Sequence, residues 1–291
     1  MIYVIIRYCF IVLVSFLPLK GWSQALDPST EKTKNNGNLR ILLAENWLVS
    51  DKHYDGMGEL KDNFVEFGYY SSFVEVEYGV GDRMAISLYF PFLNYTYTVL
   101  PVSLQKQAIW KTGDAEVGIT YDFTHGKTIS VKAGLYLGLP LGFHGQGALQ
   151  TGDGEFNQLV KLDMMHPVRS IENTIWWGLY AGFNNRTRQY AEEFLFGAEA
   201  GIRVVPDKVN FLLSIDGIKA IGKKAGASDI NSQSLFSNFR ERLLITPKAG
   251  FQINSDLEAR IQTGIPVSGR NIFADLLFGI SVNYQNKNWH G

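Results

Sequence analysis

The residues that could carry chemistry are few, and the most suggestive group is the segment TGDGEF at residues 151–156. Carboxylates placed beside glycines can bind calcium, and glycine-rich loops can hold phosphate. An EF-hand needs oxygen ligands at fixed alternating positions and a glutamate at position twelve, whereas only Asp153 and Glu155 are available here. The GxxxxGK[ST] pattern of a P-loop is absent. The segment is therefore better interpreted as a glycine-rich surface loop that leads into a strand.

Catalytic and metal-binding motifs are also missing elsewhere in the sequence. The histidines occur singly, without HxxxH or HExxH spacing, at His53, His125, His144, His166 and His290. The GxSxG pattern of many serine hydrolases does not occur. We therefore predict no metal site, no cofactor and no enzyme activity. A hydrolase whose serine, histidine and carboxylate meet only in the fold is the alternative from another class.

The composition describes an ordinary folded chain. It has 291 residues, of which 46% are apolar and 19% charged, so it can bury a sizeable core and is not disordered. A formal net charge of -1 argues against nucleic acid as a partner.

The N-terminal residues resemble an export signal. Arg7 precedes a short apolar run, and the small residues Gly21 and Ser23 follow it. Because the run is too short for a membrane-spanning helix, residues 1–23 are predicted to be a cleaved secretory signal peptide, with an uncleaved anchor as the alternative. The single cysteine, Cys9, lies in this segment, so the mature chain would have no disulfide. The polar residues 24–37 are predicted to be a flexible periplasmic leader.

Most of the remaining chain alternates apolar and polar residues, as in GDAEVGITYDF at residues 113–123. This period is that of a β-strand with two different faces. It predicts twelve strands, at residues 38–49, 68–79, 82–95, 113–123, 128–141, 156–166, 172–185, 193–205, 209–220, 240–253, 257–267 and 273–284. Helical spacing occurs only at residues 102–110, where the pattern predicts a short helix within a loop.

The connections between these strands alternate between short and long. Short turns are predicted at residues 79–82, 124–127, 167–170, 206–208 and 254–256. The strands of about ten to fourteen residues exceed the five or six usual in soluble proteins and are long enough to cross a membrane when tilted. The pattern therefore predicts an all-β fold, a 12-stranded antiparallel up-and-down transmembrane β-barrel spanning residues 38–284, with short periplasmic turns and longer extracellular loops. Both termini, including the C-terminal tail 285–291, would be periplasmic.

Aromatic residues give independent support, because they fall at both ends of the predicted strands. Those at the short-turn end are Tyr78, Tyr121, Phe123, Phe211, Phe251 and Tyr284, and those near the long loops are Phe90, Phe92, Phe183, Phe194 and Phe273. Such girdles mark the two membrane interfaces. A soluble sandwich with an aromatic core is the alternative. The first strand fits least well, since Glu45 shares parity with Leu43 and Trp47, which requires either a break in the pattern or a bulge.

If lipid contacts the apolar faces, the other faces line the barrel lumen. The predicted lumen-lining residues are Glu75, Glu77, Asp114, Glu116, Asp122, Lys132, Lys161, Asp163, Glu199, Arg203, Asp216, Lys248, Glu258 and Arg260. Their charges could attract and orient a solute in a hydrated channel. They could equally form ion pairs that hold together and block a narrow barrel. A twelve-stranded barrel is intermediate between filled small barrels and open porins, which favours a restricted pore.

Several phrases resemble those of a known family. They are YGVGDRMAISLYFPF, GDAEVGITYDF, KAGLYLGLPLGFHG and LQTGDGEFNQLVKL, all within residues 74–162. They are similar to the outer-membrane family of meta-pathway phenol-degradation proteins, also described as transporters. The resemblance implies a barrel that moves small, often hydrophobic or aromatic, molecules across the outer membrane. The polar residues 223–238 depart from the family pattern.

The sequence as a whole predicts an outer-membrane channel for passive transport of a small solute, hydrophobic or aromatic solutes included. Its expected partners are outer-membrane lipid and that solute. The alternative is a structural or surface-binding barrel with a blocked lumen.

Overall fold

The strands form a closed antiparallel barrel in the computed structural model, which describes residues 37–99, 105–124, 128–145, 149–169, 174–187, 190–205, 208–222 and 235–286. The strands of the wall are β1 (Leu39–Tyr54), β2 (Leu60–Val80), β3 (Met84–Val99), β5 (Ala115–Asp122), β6 (Ser130–Leu139), β7 (Asn157–Arg169), β8 (Thr174–Asn185), β9 (Glu192–Val205), β10 (Val209–Ile221), β11 (Glu241–Gln252), β12 (Leu257–Arg270) and β14 (Leu277–Gln285). Two short strands, β4 (Lys106–Lys111) and β13 (Ile272–Phe273), pair with β3 and β1. Twelve wall strands are the number that the sequence predicted.

Closure depends on β1, which has a partner along both edges. It pairs with β2 from Leu39 to Tyr54 and with β14 from Arg40 to Trp47. All other wall strands pair with their neighbours in chain order. The wall therefore leaves no open sheet edge, as a membrane-spanning sheet requires.

The two faces of each strand have opposite chemistry, and β5 illustrates this. Ile119 is 41% exposed on the outer surface, whereas Asp122 is 3% exposed. The exposed apolar residues of the other strands, such as Leu135, Val160 and Leu179, continue this outer apolar surface around the barrel. An apolar outside with charged residues inside is the arrangement of an outer-membrane barrel.

No helix among the described residues is long and apolar enough to cross a membrane.

The first two hairpins extend well beyond the other strands at the long-loop end. β1 and β2 contain 16 and 21 residues and are joined by a turn at residues 55–59, so most of the predicted 50–67 loop is strand. The predicted helix at residues 102–110 is wrong where the structure describes it, because β4 pairs with β3 there. The ring centroids of Tyr95 and Trp110 lie 4.1 Å apart across this pair. Strand pairing and ring packing thus outweigh a weak helical spacing.

Strand β7 also runs further than predicted. Pro167 pairs with Trp176 within the β7–β8 ladder, so the predicted turn at residues 167–170 begins too early. The connection between these strands lies outside the described residues.

Most predicted girdle aromatics lie on the outer surface, but Phe273 is an exception. It is 5% exposed and stacks on Phe67, with ring centroids 4.0 Å apart. Leu48 and Tyr69 complete this inner apolar cluster at the long-loop end. Phe273 belongs to the short strand β13, which folds against β1, and this explains why the alternation misplaced it.

Glu45 breaks the alternation without a bulge. The register of β1 with β2 is continuous from Leu39 to Ser50, and the irregularity lies between Ser50 and Lys52. Glu45 therefore keeps the outward parity of Leu43 and Trp47. Its carboxylate accepts a hydrogen bond from the hydroxyl of Ser72, the residue opposite it. The first of the two predicted explanations, a break in the pattern, is the correct one.

Candidate functional site in the barrel lumen

The loop between β6 and β7 packs against the inner wall in its described parts, residues 140–145 and 149–156. Asn94 donates from Nδ2 to the carbonyl of Thr151 at 2.9 Å, and Thr96 donates from Oγ1 to the carbonyl of Gln150 at 2.8 Å. Asn94 and Thr96 face inward from β3, and both are buried. Gln150 and Thr151 have no exposed surface. We call this segment the inward loop, because these contacts place it inside the mouth of the barrel.

Asp114 is the main anchor of the inward loop. Its Oδ1 accepts from the N–H of Gly142 at 2.8 Å, and its Oδ2 accepts from those of Asp153 at 2.7 Å and Gly154 at 3.3 Å. The fit is close, because a Cβ at Gly152 would lie 2.3 Å from Oδ2. Burial and the nearby Asp153 carboxylate raise the pKa of Asp114 to about 7, against the opposing effect of the Gly142 N–H.

A buried ion-pair network ties the other side of the inward loop to the wall. The side chain of Arg186 has no exposed surface and contacts Asp153 at 3.1 Å and Glu193 at 2.9 Å. Glu193 also binds Arg240, whose Nε lies 2.8 Å from Oε1. Thr187 adds a hydrogen bond to Glu155. The inward loop thus spans from the β3–β5 wall to the β8–β9 connection.

Residues 235–240, which precede β11, also lie at the mouth, where Leu235, Phe236 and Arg240 line the same space as Asp153 of the inward loop. Phe236 packs edge-on against Tyr69, with ring centroids 5.9 Å apart. Arg240 donates to the carbonyl of Leu235 at 2.9 Å, and Ala191 donates its N–H to the carbonyl of Asn238 at 3.0 Å. This segment and the inward loop together narrow the long-loop end.

Beneath these two segments lies a cavity of about 240 Å³, here called the main cavity. Aromatic residues line part of it, among them Tyr69, Tyr89 and Phe236. Charged residues line other parts, and those on β5 differ in sign from those on β11. The cavity is therefore both aromatic and polar, which are features of small-molecule sites.

Ion pairs and hydrogen bonds occupy the lumen further along. Lys161 lies 2.7 Å from Asp163, and Lys248 lies 2.9 Å from Glu199, with all four side chains buried. Tyr180 donates to Asp216 at 2.8 Å. The first pair lies within β7, whereas the second joins β11 to β9 and the hydrogen bond joins β8 to β10 across the strand between them. Losing one partner of such a buried ion pair is costly.

The short-turn end of the lumen holds further pairs. Glu77 lies 3.6 Å from Arg40, and Arg260 lies 2.8 Å from Glu258. Asp122 and Lys132 line a small cavity of about 20 Å³ at this end. The pore is thus crowded by charge at both ends.

All fourteen predicted lumen residues lie on the inner parity of their strands or directly before them. The structure gathers twelve of them into three groups: Asp114, Glu116 and Lys161 line the main cavity; Asp163, Glu199, Lys248 and Asp216 belong to the mid-lumen contacts; and Glu77, Glu258, Arg260, Asp122 and Lys132 lie toward the short-turn end. Glu75 lies on β2 opposite Tyr89, and Arg203 lies on β9 opposite Asn210. Their role in selectivity stays a prediction.

Sequence reasoning missed Arg186, Glu193, Arg240 and Arg242. Glu193 has the parity of Glu199, and Arg240 and Arg242 have that of Lys248, so the same alternation could have identified them. Arg186 lies beyond the end of β8 and has no comparable signal.

No group of three or more His, Cys, Asp or Glu side chains that could hold a metal ion occurs in the part of the chain that the structure describes.

Comparison with solved structures agrees with this architecture. The chain is similar to the crystal structure of an outer-membrane channel from Pseudomonas putida F1, with a TM-score of 0.62 at 12% identity, covering 90% of this chain and 100% of that one. The KdgM porin and the NanC porin each give a TM-score of 0.49 at 8% identity, covering 86% and 84% of this chain and 99% and 98% of theirs. The first likeness supports the fold, and the other two are too distant to carry an argument. The fold and its apolar outer surface are those of an outer-membrane β-barrel.

No protein-family model matches the sequence, and a search of curated proteins finds no match. The resemblance to the phenol-degradation family therefore receives no independent support, and the structural likeness supports the outer-membrane barrel fold.

Proposed function

We propose that this protein is a passive outer-membrane channel for a small solute. The observation that carries the proposal is the main cavity, enclosed by a closed barrel and lined by charged and aromatic residues. Water and small polar solutes can be held by such a lining, whereas the outer surface is suited to lipid.

The inward loop makes this channel a restricted one. Its contacts with Asp114 and Arg186 hold it across the mouth, so a solute must pass between it and the opposite wall. The rings of Tyr69, Tyr89 and Phe236 offer contact to an apolar or aromatic part of the solute. This supports solute selection by size and shape rather than free diffusion.

Planar-bilayer recording of the purified protein tests the proposal. We expect small, stepwise KCl conductances that disappear when the protein is heat-denatured before reconstitution. A change of gel mobility on boiling would confirm independently that the reconstituted protein is a folded barrel. Folded protein that conducts no ions and passes no solute into liposomes would contradict the proposal.

A barrel with a blocked lumen is the second candidate, and the buried network around Arg186 favours it. If the network is a permanent plug, the Gly152→Ala variant, whose new Cβ would crowd Asp114, should stay closed. A channel restricted by the inward loop should instead gain conductance. We do not propose hydrolase activity, because none of the contacts described above places a serine beside a histidine.

A further inference from the structure

The charged side chains that line the main cavity carry both signs and are engaged within the protein. The ion pairs are Lys161 with Asp163, Arg240 with Glu193, and Asp153 with Arg186. Asp114 accepts N–H groups of the inward loop, and Glu116 and Arg242 also make interactions. A charged solute would therefore have to compete with these groups for its counter-charge. The lining favours a neutral solute.

Three asparagine side chains of the same lining are satisfied at only one end of the amide. They are Asn94, Asn157 and Asn184. In that order, their Nδ2 groups donate to the carbonyl of Thr151 at 2.9 Å, to Asp153 at 3.2 Å and to Glu193 at 3.2 Å. Because carbonyl and carboxylate oxygens accept, these bonds fix which end of each amide is Oδ1. Each Oδ1 is buried and accepts no hydrogen bond from the described residues.

A buried acceptor without a donor is unfavourable, and water or a solute in the adjoining cavity can supply that donor. Two of the three amides lie close together. Asn184 is opposite Leu159 in the β7–β8 ladder, two residues from Asn157. Diagonal neighbours of this kind are about 7–8 Å apart. A solute with several hydroxyl groups around one small ring can donate to both.

Aromatic rings line another part of the main cavity. Tyr69 lies on β2, four places from β7 and five from β8 in the order of the strands. Phe236, which precedes β11, packs edge-on against it, with ring centroids 5.9 Å apart. Both rings line the cavity and offer an apolar surface to C–H groups. A sugar ring has C–H groups on its faces and hydroxyl groups around its rim, so it matches both parts of the lining.

We propose that the main cavity binds a neutral sugar ring, whose hydroxyl groups donate to Oδ1 of Asn157 and Asn184 while its C–H groups contact Tyr69 or Phe236. Asn94 offers a third acceptor from β3. The inference rests on the proposed channel function and names the class of its solute. The cavity of about 240 Å³ is smaller than the roughly 300–1,000 Å³ of sites for drug-sized ligands, so we expect a single hexose.

Isothermal titration of the purified barrel in a detergent without a sugar head group tests this inference. The probes are glucose, mannose and galactose, and we expect saturable binding of at least one of them. At neutral pH, the uronic acid and the amino sugar that correspond to this hexose should bind at least about tenfold more weakly. Absence of binding by all three hexoses, or equal or tighter binding of a charged counterpart, would overturn the inference.

Two matched pairs of variants locate the site. Asn184→Ala should weaken hexose binding by at least about tenfold, whereas Asn185→Ala, which removes an exposed amide bonded to Gln158, should not. Phe236→Ala should likewise weaken binding, and Phe251→Ala, on the outer surface, should leave it unchanged. Equal affinities within both pairs would contradict the site.

Retained heat-modifiable gel mobility establishes that each variant folds. Because binding is measured without transport, the two proposals can fail separately. A barrel that binds a hexose but conducts no ions contradicts the channel. A barrel that conducts ions but binds no hexose contradicts only the sugar site.

Discussion

The Oδ2 atom of Asp114 accepts a hydrogen bond of 2.7 Å from the backbone N–H of Asp153, 39 residues further along the chain. One carboxylate, directly before β5 at the mouth of the barrel, therefore fixes the position of the loop that narrows the barrel. The second oxygen holds Gly142 in the same loop. The opening of the pore should accordingly depend on this single side chain more than on any charge deeper in the lumen.

Replacement of Asp114 by alanine should loosen the inward loop and raise the single-channel conductance. The N–H groups of Gly142, Asp153 and Gly154 would lose their acceptor, which weakens docking by about 1–3 kcal/mol. Bilayer recording and limited proteolysis at residues 140–156 measure the effect. Asp122→Ala, at the other end of β5, is the control and should leave the proteolysis of the inward loop unchanged. Equal conductance in the Asp114 variant and the unmodified barrel would show that the loop does not limit the pore.

Acidification should close the channel further. The pKa of Asp114 is raised to about 7, so the docked loop favours the protonated carboxyl. Because docking raises the pKa of Asp114, the contribution of this group to the stability of the docked loop is fully present below its ordinary pKa of 3.8. That contribution is lost as the pH rises through about 7. The docked loop should thus be more populated at pH 5 than at pH 8, and the conductance correspondingly lower.

The Asp114→Asn variant separates this effect from other titrations at the same site. Asp153 is the other carboxylate of this site and contacts Arg186 at 3.1 Å. An amide in place of the Asp114 carboxyl cannot titrate, and the conductance should then be nearly independent of pH from 5 to 8. A pH response of undiminished size in this variant would assign the effect to another group.

The barrel could be predicted from the sequence because the alternation of apolar and polar residues in each strand shows which side chains face lipid and which face the lumen. Ile119 and Asp122 could be placed on opposite faces from parity alone, since a strand side chain has only two directions. The contacts that form the constriction have no such local signal. Asp114 contacts Asp153 only because a loop folds back into the lumen. Arg186 follows the last residue of β8, so the alternation along that strand does not predict the direction of its side chain.

The same reasoning explains the errors at the long-loop end. Beyond the membrane, the strands no longer need one apolar and one polar face, so alternation is weak. Residues 106–111 form a strand only through pairing with β3, and Phe273 is buried because β13 folds onto β1. These are tertiary effects that a single segment does not encode.

The lipid-facing surface can be tested with a pair of adjacent residues on β5. Ile119→Arg should destabilise the barrel by about 2–4 kcal/mol, since Ile119 is 41% exposed on the outer surface and a cation there would lie in lipid. Thr120→Arg places the same charge on the inner parity, beside the small cavity that Glu77 and Asp122 line, and should be tolerated better. Urea unfolding in lipid vesicles compares the two. A larger loss of unfolding free energy for Thr120→Arg than for Ile119→Arg would reverse the assignment of the lumen and lipid faces.

The ion-pair network at the mouth should contribute far more to the free energy of unfolding than an exposed ion pair at the same end of the barrel. Arg186→Met removes a guanidinium with no exposed surface and leaves Asp153 buried opposite an apolar side chain, at an expected cost of about 3–5 kcal/mol. Lys219→Met breaks the Lys219–Glu241 pair, in which the lysine side chain is 58% exposed, and should cost at most about 1 kcal/mol. Arg186→Lys should restore little, because one ammonium cannot reproduce the two separate contacts to Asp153 and Glu193. Urea unfolding of the three variants in lipid vesicles gives the comparison. If Arg186→Met and Lys219→Met lowered the free energy of unfolding by similar amounts, the mouth would be hydrated and the network would not hold it closed.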